Sequence, residues 1–325
     1  MLRISLLVVA CVCASPGAAW SAETTITQAP RDPGNEADVA VAFAADVTGA
    51  AFSCALDGAA AAPCTSPHSL AALADGRHSL AVVATGPDGV PDATPAVASF
   101  RVDTRAPAPP RPPGLAPVQL AARFDVRYAT YGRPWPYRYE VRVRELLAPR
   151  AGVRERTWLG EAAGPTSSFG GRRGGGYCFR SRATDPAGNT SAFGAEACTA
   201  VPLDDSVFGG TRPWVLRRDG AAFGGTITAL PRSVNGAFLI TRPLYAARAR
   251  LLAFGCPSCG TLLAVAYAPD GRSRTAPISL HRARRGPLAV ALPFALDPSE
   301  PVRLQLLATA TSGPIAIDGL ALLPG

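Results

Sequence analysis

Apolar and polar positions alternate with a period of two through most of the chain, which is the signature of half-buried strands. Val39, Val41 and Phe43 fall on one face, as do Phe52, Cys54 and Leu56, then Leu80, Val82 and Ala84, then Phe100 and Val102. Asp57-Gly58, Asp75-Gly76 and Asp88-Gly89 break these runs with turn chemistry. The clearest strand runs from Tyr137 to Val143. Tyr137, Tyr139, Val141 and Val143 face one way, and Arg138, Glu140, Arg142 and Arg144 the other, as in an antiparallel strand with one wet face. A second strand turns Tyr177, Phe179, Ser181 and Ala183 inward and places Cys178, Arg180 and Arg182 on the solvent side. Beyond residue 205, eight strands are predicted, near Gly224–Leu230, Ala237–Thr241, Ala247–Phe254, Thr261–Ala268, Pro277–His281, Leu288–Leu292, Val302–Ala308 and Ile315–Leu322. No amphipathic helix is predicted. The expected fold is all-β, with three β-sandwich modules in tandem over residues 23–105, 115–203 and 206–325. A proline-rich stretch, residues 106–114, joins the first two.

Composition adds a constraint. Hydrophobic residues make up 48% of the 325, but aromatics only 7%, and glycine and proline number 32 each. Cores of this kind are thin and need covalent support. Six cysteines follow the first twenty residues: Cys54, Cys64, Cys178, Cys198, Cys256 and Cys259, one pair per module. An even count so partitioned points to disulfides formed in an oxidising compartment, and locality favours 54–64, 178–198 and 256–259. The first 22 residues have the layout of a signal peptide: Arg3, an apolar stretch from Ile4 to Ala14, a break at Pro16-Gly17, and small residues around Ala19-Trp20-Ser21. Val8-Val9-Ala10-Cys11 also has the form of a lipoprotein box, but cleavage there would leave a very short leader. A secreted or envelope-associated protein is expected, with no membrane span in the mature chain.

The net charge of +8 is uneven. Residues 23–105 carry four arginines against ten acidic residues, residues 106–201 fourteen against seven, and residues 202–325 thirteen against seven. One reading is a solvated surface. The other is attraction of the last two modules to an anionic polymer, such as a cell-wall or extracellular polysaccharide. No nucleic-acid motif is present.

The stretch Phe52-Ser53-Cys54-Ala55-Leu56-Asp57-Gly58, with Pro63-Cys64-Thr65-Ser66-Pro67, Asp75-Gly76-Arg77-His78 and Phe100-Arg101-Val102-Asp103, resembles the bacterial Ig-like repeats of secreted actinobacterial proteins. The family's Asp-x-x-Gly-Asn turn is replaced here by Gly86-Pro87-Asp88-Gly89-Val90. Tyr177-Cys178-Phe179-Arg180-Ser181-Arg182-Ala183 followed by Thr184-Asp185-Pro186-Ala187-Gly188-Asn189 resembles a fibronectin type III-like module. That resemblance implies a tyrosine corner at Tyr177, its buried hydroxyl bonded to a nearby main-chain group. Trp214, Gly224-Gly225-Thr226, Gly236-Ala237 and Ile317-Asp318-Gly319-Leu320 are similar to points in the C-terminal sandwiches of such proteins and in carbohydrate-binding jelly rolls.

Little local chemistry stands out. Cys256-Pro257-Ser258-Cys259 lies between apolar runs that read as strands, so it reads as a hairpin-tip disulfide rather than a redox pair or a zinc site. His68, His78 and His281 are the only histidines. None sits in a catalytic signature, and His78 reads as a surface residue. Asp204-Asp205 could ligate calcium, but with no third oxygen ligand at loop spacing the pair reads as a solvated linker. No cofactor or metal is expected. Sugar rings stack on exposed aromatics flanked by planar polar groups, which makes Trp214, Phe223, Tyr245 and Tyr267 with Arg217, Arg218 and Arg242 the candidates, at least half of the aromatics being core. The preferred function is a non-catalytic exported binding protein, two spacer modules presenting a glycan-binding third. The alternatives are a purely structural or adhesive protein, and a hydrolase with a non-local site around His281. The export reading is checked by mass spectrometry of the protein from its native host. A chain beginning near Ala22 with three disulfides is expected; an intact Met1, or free thiols at Cys54 and Cys64, contradicts it.

Overall fold

A computed structural model of the chain describes residues 22–128, 137–147, 152–210, 212–231, 234, 236–309 and 313–325. The expected leader and Cys11 lie outside them. The described residues are built from antiparallel sheets, and no helix among them is long and apolar enough to cross a membrane. The chain divides into two compact units, one running through Arg105 and the other holding Ala106–Asp185 and Thr190–Gly325.

The first unit contains β1 (Thr24–Gln28), β2 (Val39–Ala45), β3 (Ala51–Leu56), β4 (Ala62–Cys64), β5 (His68–Leu70), β6 (Gly76–Thr85) and β7 (Ala96–Val102). They form two sheets, ordered β1-β2-β5 and β4-β3-β6-β7. The predicted alternation puts Val41, Phe43, Leu80, Val82, Phe100 and Val102 between the sheets. Cys54–Cys64 ties β3 to its neighbour β4. The altered turn after β6 is supported from within: the Asp88 carboxylate accepts the Val90 N–H at 3.1 Å. Asp92, just beyond it, is buried and accepts the N–H groups of Thr24 and Thr94 at 2.7 and 2.8 Å. Those bonds, the Thr94 N–H first, hold its pKa down at about 2 and fix β1 at its N-terminal end. His78 is not the free surface residue expected. Its side chain is only 10% exposed, with Nδ1 on Asp57 at 2.7 Å and Nε2 on the Ala74 carbonyl at 2.8 Å.

In the second unit, β8 (Arg123–Arg127), β9 (Arg138–Leu147), β10 (Arg154–Ala162), β11 (Thr166–Gly170), β12 (Gly175–Thr184) and β13 (Ala197–Ala200) make sheets ordered β10-β9-β12-β13 and β11-β8. Much of the small aromatic complement is concentrated here. Phe169 meets Trp158 at 5.1 Å and Phe179 at 4.9 Å, both edge to face, an arrangement that adds to simple burial. The Tyr177 hydroxyl accepts the Arg172 N–H at 2.7 Å, the corner the resemblance implied.

The remaining strands are β14 (Leu203–Asp204), β15 (Phe208–Gly210), β16 (Val215–Arg218), β17 (Thr226–Leu230), β18 (Phe238–Thr241), β19 (Arg248–Gly255), β20 (Thr261–Tyr267), β21 (Ser273–Ser279), β22 (Gly286–Ala291), β23 (Arg303–Ala308) and β24 (Ile315–Leu323). One sheet runs β16-β17-β24-β19-β22 with β14 also on β24; the other runs β15-β18-β23-β20-β21. Seven of the eight predicted strands coincide with observed ones to within two residues. The strand expected over Pro277–His281 is centred earlier, at β21, an edge position that tolerates the missing N–H of Pro277. The short β14, β15 and β16 carry no clear alternation and were not predicted.

The second and third sandwiches are packed together. Leu146 of β9 belongs to the core of the third sandwich, and β14 leads the chain directly into the six-stranded sheet. Ala200 and Cys198 pack with Leu252, Ala321 and Leu323 of β19 and β24. Arg144 donates to Glu196 and to the Gly325 carbonyl, each at 2.7 Å. Cys178 and Cys198 are directly paired across β12 and β13, on the face opposite Tyr177 and Phe179, as expected. That face is not solvated, however. Cys178 is fully buried, because the end of the third sandwich lies over it, its Sγ 3.8 Å from the Gly325 carbonyl.

The Asp57–His78 pair makes stability depend on pH. The Ala74 carbonyl and then Asp57 raise the His78 pKa, so its contribution is complete below about pH 6.5 and is lost as pH rises through the higher folded value. His78 and the Ser79 N–H lower the Asp57 pKa, so that contribution is lost as pH falls below about 4. The difference in melting temperature between the full chain and His78→Asn should therefore be largest between about pH 4 and 6.5; a difference independent of pH contradicts the assignment. The packing of the sandwiches makes Gly176 obligatory, since a Cβ there would lie 2.3 Å from the Leu322 carbonyl oxygen and 2.9 Å from Pro324. Gly176→Val should cost the second unit about 2 kcal/mol in denaturant unfolding. An unchanged midpoint would show that the contact does not form.

Candidate functional site

The six-stranded sheet is apolar on both faces. Along β19, Leu251 and Ala253 enter the sandwich core, while Leu252 and Phe254 point outward. Along β24, Ile315 and Ile317 point inward, then Leu320 and Leu322 do. The change of parity occurs at a bulge where the partners shift from Ile317 to Gly319, leaving Asp318 as the extra residue. The second sandwich covers the outward residues Leu252, Ala321 and Leu323. The rest of the same face, Ile227, Ala229, Ala316 and Phe254, forms a separate cluster. Strand pairing aligns these groups: Val215 lies opposite Ala229, Ala229 opposite Ala316, and Phe254 opposite Pro287. The result is an apolar row running across the strands.

The row floors a trough of about 390 Å³. Arg217 on β16 stands at one end and Arg285, just before β22, at the other; both are exposed. The turn of the Cys256–Cys259 disulfide forms part of the rim. None of the lining residues is acidic. The outer strands β16 and β22 are four strand spacings apart, about 19 Å.

Several arginines elsewhere in the unit are paired. On the outer face of the second sandwich Arg142, Arg180 and Arg182 surround the Phe193 ring at 4.8, 4.9 and 5.0 Å. Glu140 pairs with Arg142 and Arg182, and Glu155 with Arg180. A second cleft, of about 300 Å³, contains Arg272, Arg274, Asp297 and Glu300. There Arg272 faces Asp270 and Glu300, and Arg274 donates to the Ala295 carbonyl.

Of the residues singled out from sequence, Arg217 lines the trough. Arg218 is its exposed neighbour on β16, facing the other way. Trp214 and Tyr245 are half-buried against the sandwich core, and Phe223 is buried. Tyr267, 39% exposed, lies at the end of β20 in the other sheet and donates to Gln305 at 2.8 Å. Arg242 is exposed just after β18, a strand of the other sheet. Phe254, Ile227 and Arg285 escaped the sequence reading. The available signal was the unbroken run Leu251-Leu252-Ala253-Phe254, which marks a strand covered on both faces.

Cys178, Glu196 and Cys198 lie together in a way that could bear on metal binding, but the two sulfurs are bonded to each other. The reading of Asp204-Asp205 as a solvated linker is corrected by the structure. Asp205 is fully buried and accepts the Thr226 and Thr228 hydroxyls at 2.8 and 2.7 Å. Asp204 pairs across the sheet with Gly319, next to the buried Asp318. Burial pushes Asp318 up to about 6 against the Phe223 N–H, with Asp205, Asp204 and Asp219 adding repulsion. Burial, and then Asp205, raise Asp204 as well.

No family model matches the sequence, and no curated protein does. Among solved structures, the family 35 carbohydrate-binding module from Clostridium thermocellum aligns at 15% identity and a TM-score of 0.29, covering 38% of this chain and 97% of that one. The CbhA fibronectin(III)-like modules of the same organism align at 14% and 0.35, covering 55% and 94%. An exo-β-1,3-galactanase from Phanerochaete chrysosporium aligns at 9% and 0.30, covering 88% and 78%. Binding modules and an enzyme thus stand side by side, and at these identities and scores the likeness is one of β-sandwich architecture alone.

Proposed function

We propose that the protein is an exported, non-catalytic binding protein whose third sandwich holds an extended acidic glycan across the outer face of its six-stranded sheet. The carrying observation is the apolar row flanked by Arg217 and Arg285, with no carboxylate among the residues that line the trough. Sugar rings present C–H faces that pack on Ile227, Ala316 and Phe254. Guanidinium groups match carboxylates with two parallel hydrogen bonds. In the second sandwich Arg142, Arg180 and Arg182 are paired with glutamates. Exposed arginines act over about 8 Å at physiological ionic strength, so they gather an anionic chain while the apolar floor retains it.

The test is titration calorimetry of the full chain with a polyuronate and with the same polymer after reduction of its carboxyl groups. The acidic polymer should bind and the reduced one bind more weakly. Arg217→Ala and Arg285→Ala should each weaken the acidic polymer about tenfold, while Tyr267→Ala leaves it unchanged. Absence of binding to either polymer refutes a glycan function, and shortening of the polymer on incubation refutes the non-catalytic reading.

A further inference from the structure

We infer that the Cys256–Cys259 bridge is a thiol–disulfide exchange site, opened by a dithiol reductant, and that its redox state sets the rim of the trough and with it the affinity for an acidic glycan. The control of affinity rests on the glycan reading of the trough; the exchange does not. The three bridges differ in what a reductant can reach. Cys54 is 6% exposed and Cys178 is fully buried, so each of those bonds keeps one cysteine out of solvent. Cys256 and Cys259 are both half-buried, and Pro257 and Ser258 between them are exposed. The bridges also differ in what they hold. Cys54–Cys64 ties β3 to β4, and Cys178–Cys198 joins β12 to β13. Cys256–Cys259 spans a sequence separation of 3 within the single turn that follows β19. Closing so short a loop removes little freedom from the unfolded chain, so the fold survives its opening. Accessible bridges of this kind are the labile ones.

The surroundings favour the chemistry. The basic segment 281–285 is fastened to the turn by its main chain. The Cys256 N–H donates to the Leu280 carbonyl at 3.2 Å, and the Arg282 N–H donates to the Cys256 carbonyl at 3.0 Å. The Arg282 side chain lies against Gly255, where a Cβ would be 2.6 Å from its Cγ. Arg285 lines the trough with both cysteines, and none of the lining residues is acidic. Positive charge so placed draws in an attacking thiolate and stabilises a departing one. The two sulfurs are not equivalent. Cys259 Sγ lies 3.7 Å from the Phe254 carbonyl oxygen, which disfavours a thiolate. Cys256 Sγ lies 3.7 Å from the Ser258 hydroxyl, which can donate to one. A thiolate of the dithiol therefore attacks Cys259, forms a mixed disulfide with it and releases Cys256 as a thiolate, which takes up a proton. The second thiol of the reductant loses its proton and attacks the reductant's sulfur in that mixed disulfide. Cys259 is released and protonated, and the reductant leaves as a disulfide, having passed two electrons and two protons to the protein. All four residues of the turn line the trough beside Phe254. Opening the ring thus frees one wall of the trough and, through the main-chain bonds, the segment that carries Arg285.

The experiment treats the folded full chain with dithiothreitol, quenches it at intervals with iodoacetamide and maps the labelled cysteines by mass spectrometry. Cys256 and Cys259 should be alkylated about tenfold faster than Cys54, Cys64, Cys178 and Cys198. In the selectively reduced protein, hydrogen exchange should rise at residues 253–260 and 281–286 and stay unchanged along β24. Affinity for the polyuronate should fall about threefold to tenfold and return on reoxidation with oxidised glutathione. Cys256→Ser with Cys259→Ser should bind as the reduced protein does and no longer respond to dithiothreitol. Labelling of Cys54 or Cys178 first, or at the same rate, overturns the exchange site. Unchanged hydrogen exchange and affinity after selective reduction overturn its control of the trough. An oxidised protein that ignores the polyuronate while Cys256 and Cys259 still label first refutes the glycan reading, and the control of affinity with it, and supports the exchange site.

Discussion

The six-stranded sheet of the third sandwich is apolar on both faces, and the arrangement of the second unit follows from the need to cover the outer one. A strand such as β19, with Leu251 and Ala253 inward and Leu252 and Phe254 outward, cannot leave its outer face to water without loss. The second sandwich covers part of that face. To come close enough it presents Gly176 to the Leu322 carbonyl and places the Cys178–Cys198 bond under the chain end. Arg144 closes the contact by bonding Glu196 and Gly325. The rest of that face, with Ile227, Ala229 and Phe254 buried, underlies the trough.

Electrostatics divides the same unit. Arginine outnumbers acidic residues in both sandwiches, but position determines what that excess does. In the second, Arg142, Arg180 and Arg182 gather around Phe193 and pair with Glu140 and Glu155. In the third, Arg217 and Arg285 stand at the ends of an apolar floor. Three acidic residues of the third sandwich, Asp204, Asp205 and Asp318, are gathered at the strand junction on β24 instead of on the surface. The trough and the junction thus hold charge of opposite sign within one small domain.

Local pattern made the strands legible, and with them the inward faces of β6, β9 and β12, because alternation and turn residues are properties of neighbours in sequence. The three disulfides were legible because each joins cysteines close in the chain. What escaped depends on contacts distant in sequence. Cys178 read as solvent-facing because alternation gives the face of a strand and not what covers it. Asp205 read as a linker because two adjacent aspartates carry no sign of the threonines 21 and 23 residues later that hold one of them. Exposed aromatics do not mark the trough, because its aromatic, Phe254, is a largely buried phenylalanine in a run of aliphatic residues.

The second and third sandwiches form one structural body through the shared sheet face. Native-state hydrogen exchange of the full chain in rising denaturant tests it most directly. Amides of β12 around Cys178–Ser181 and of β24 around Leu320–Leu323 should converge on one unfolding isotherm. Separate isotherms, with β12 opening while β24 stays protected, would contradict it.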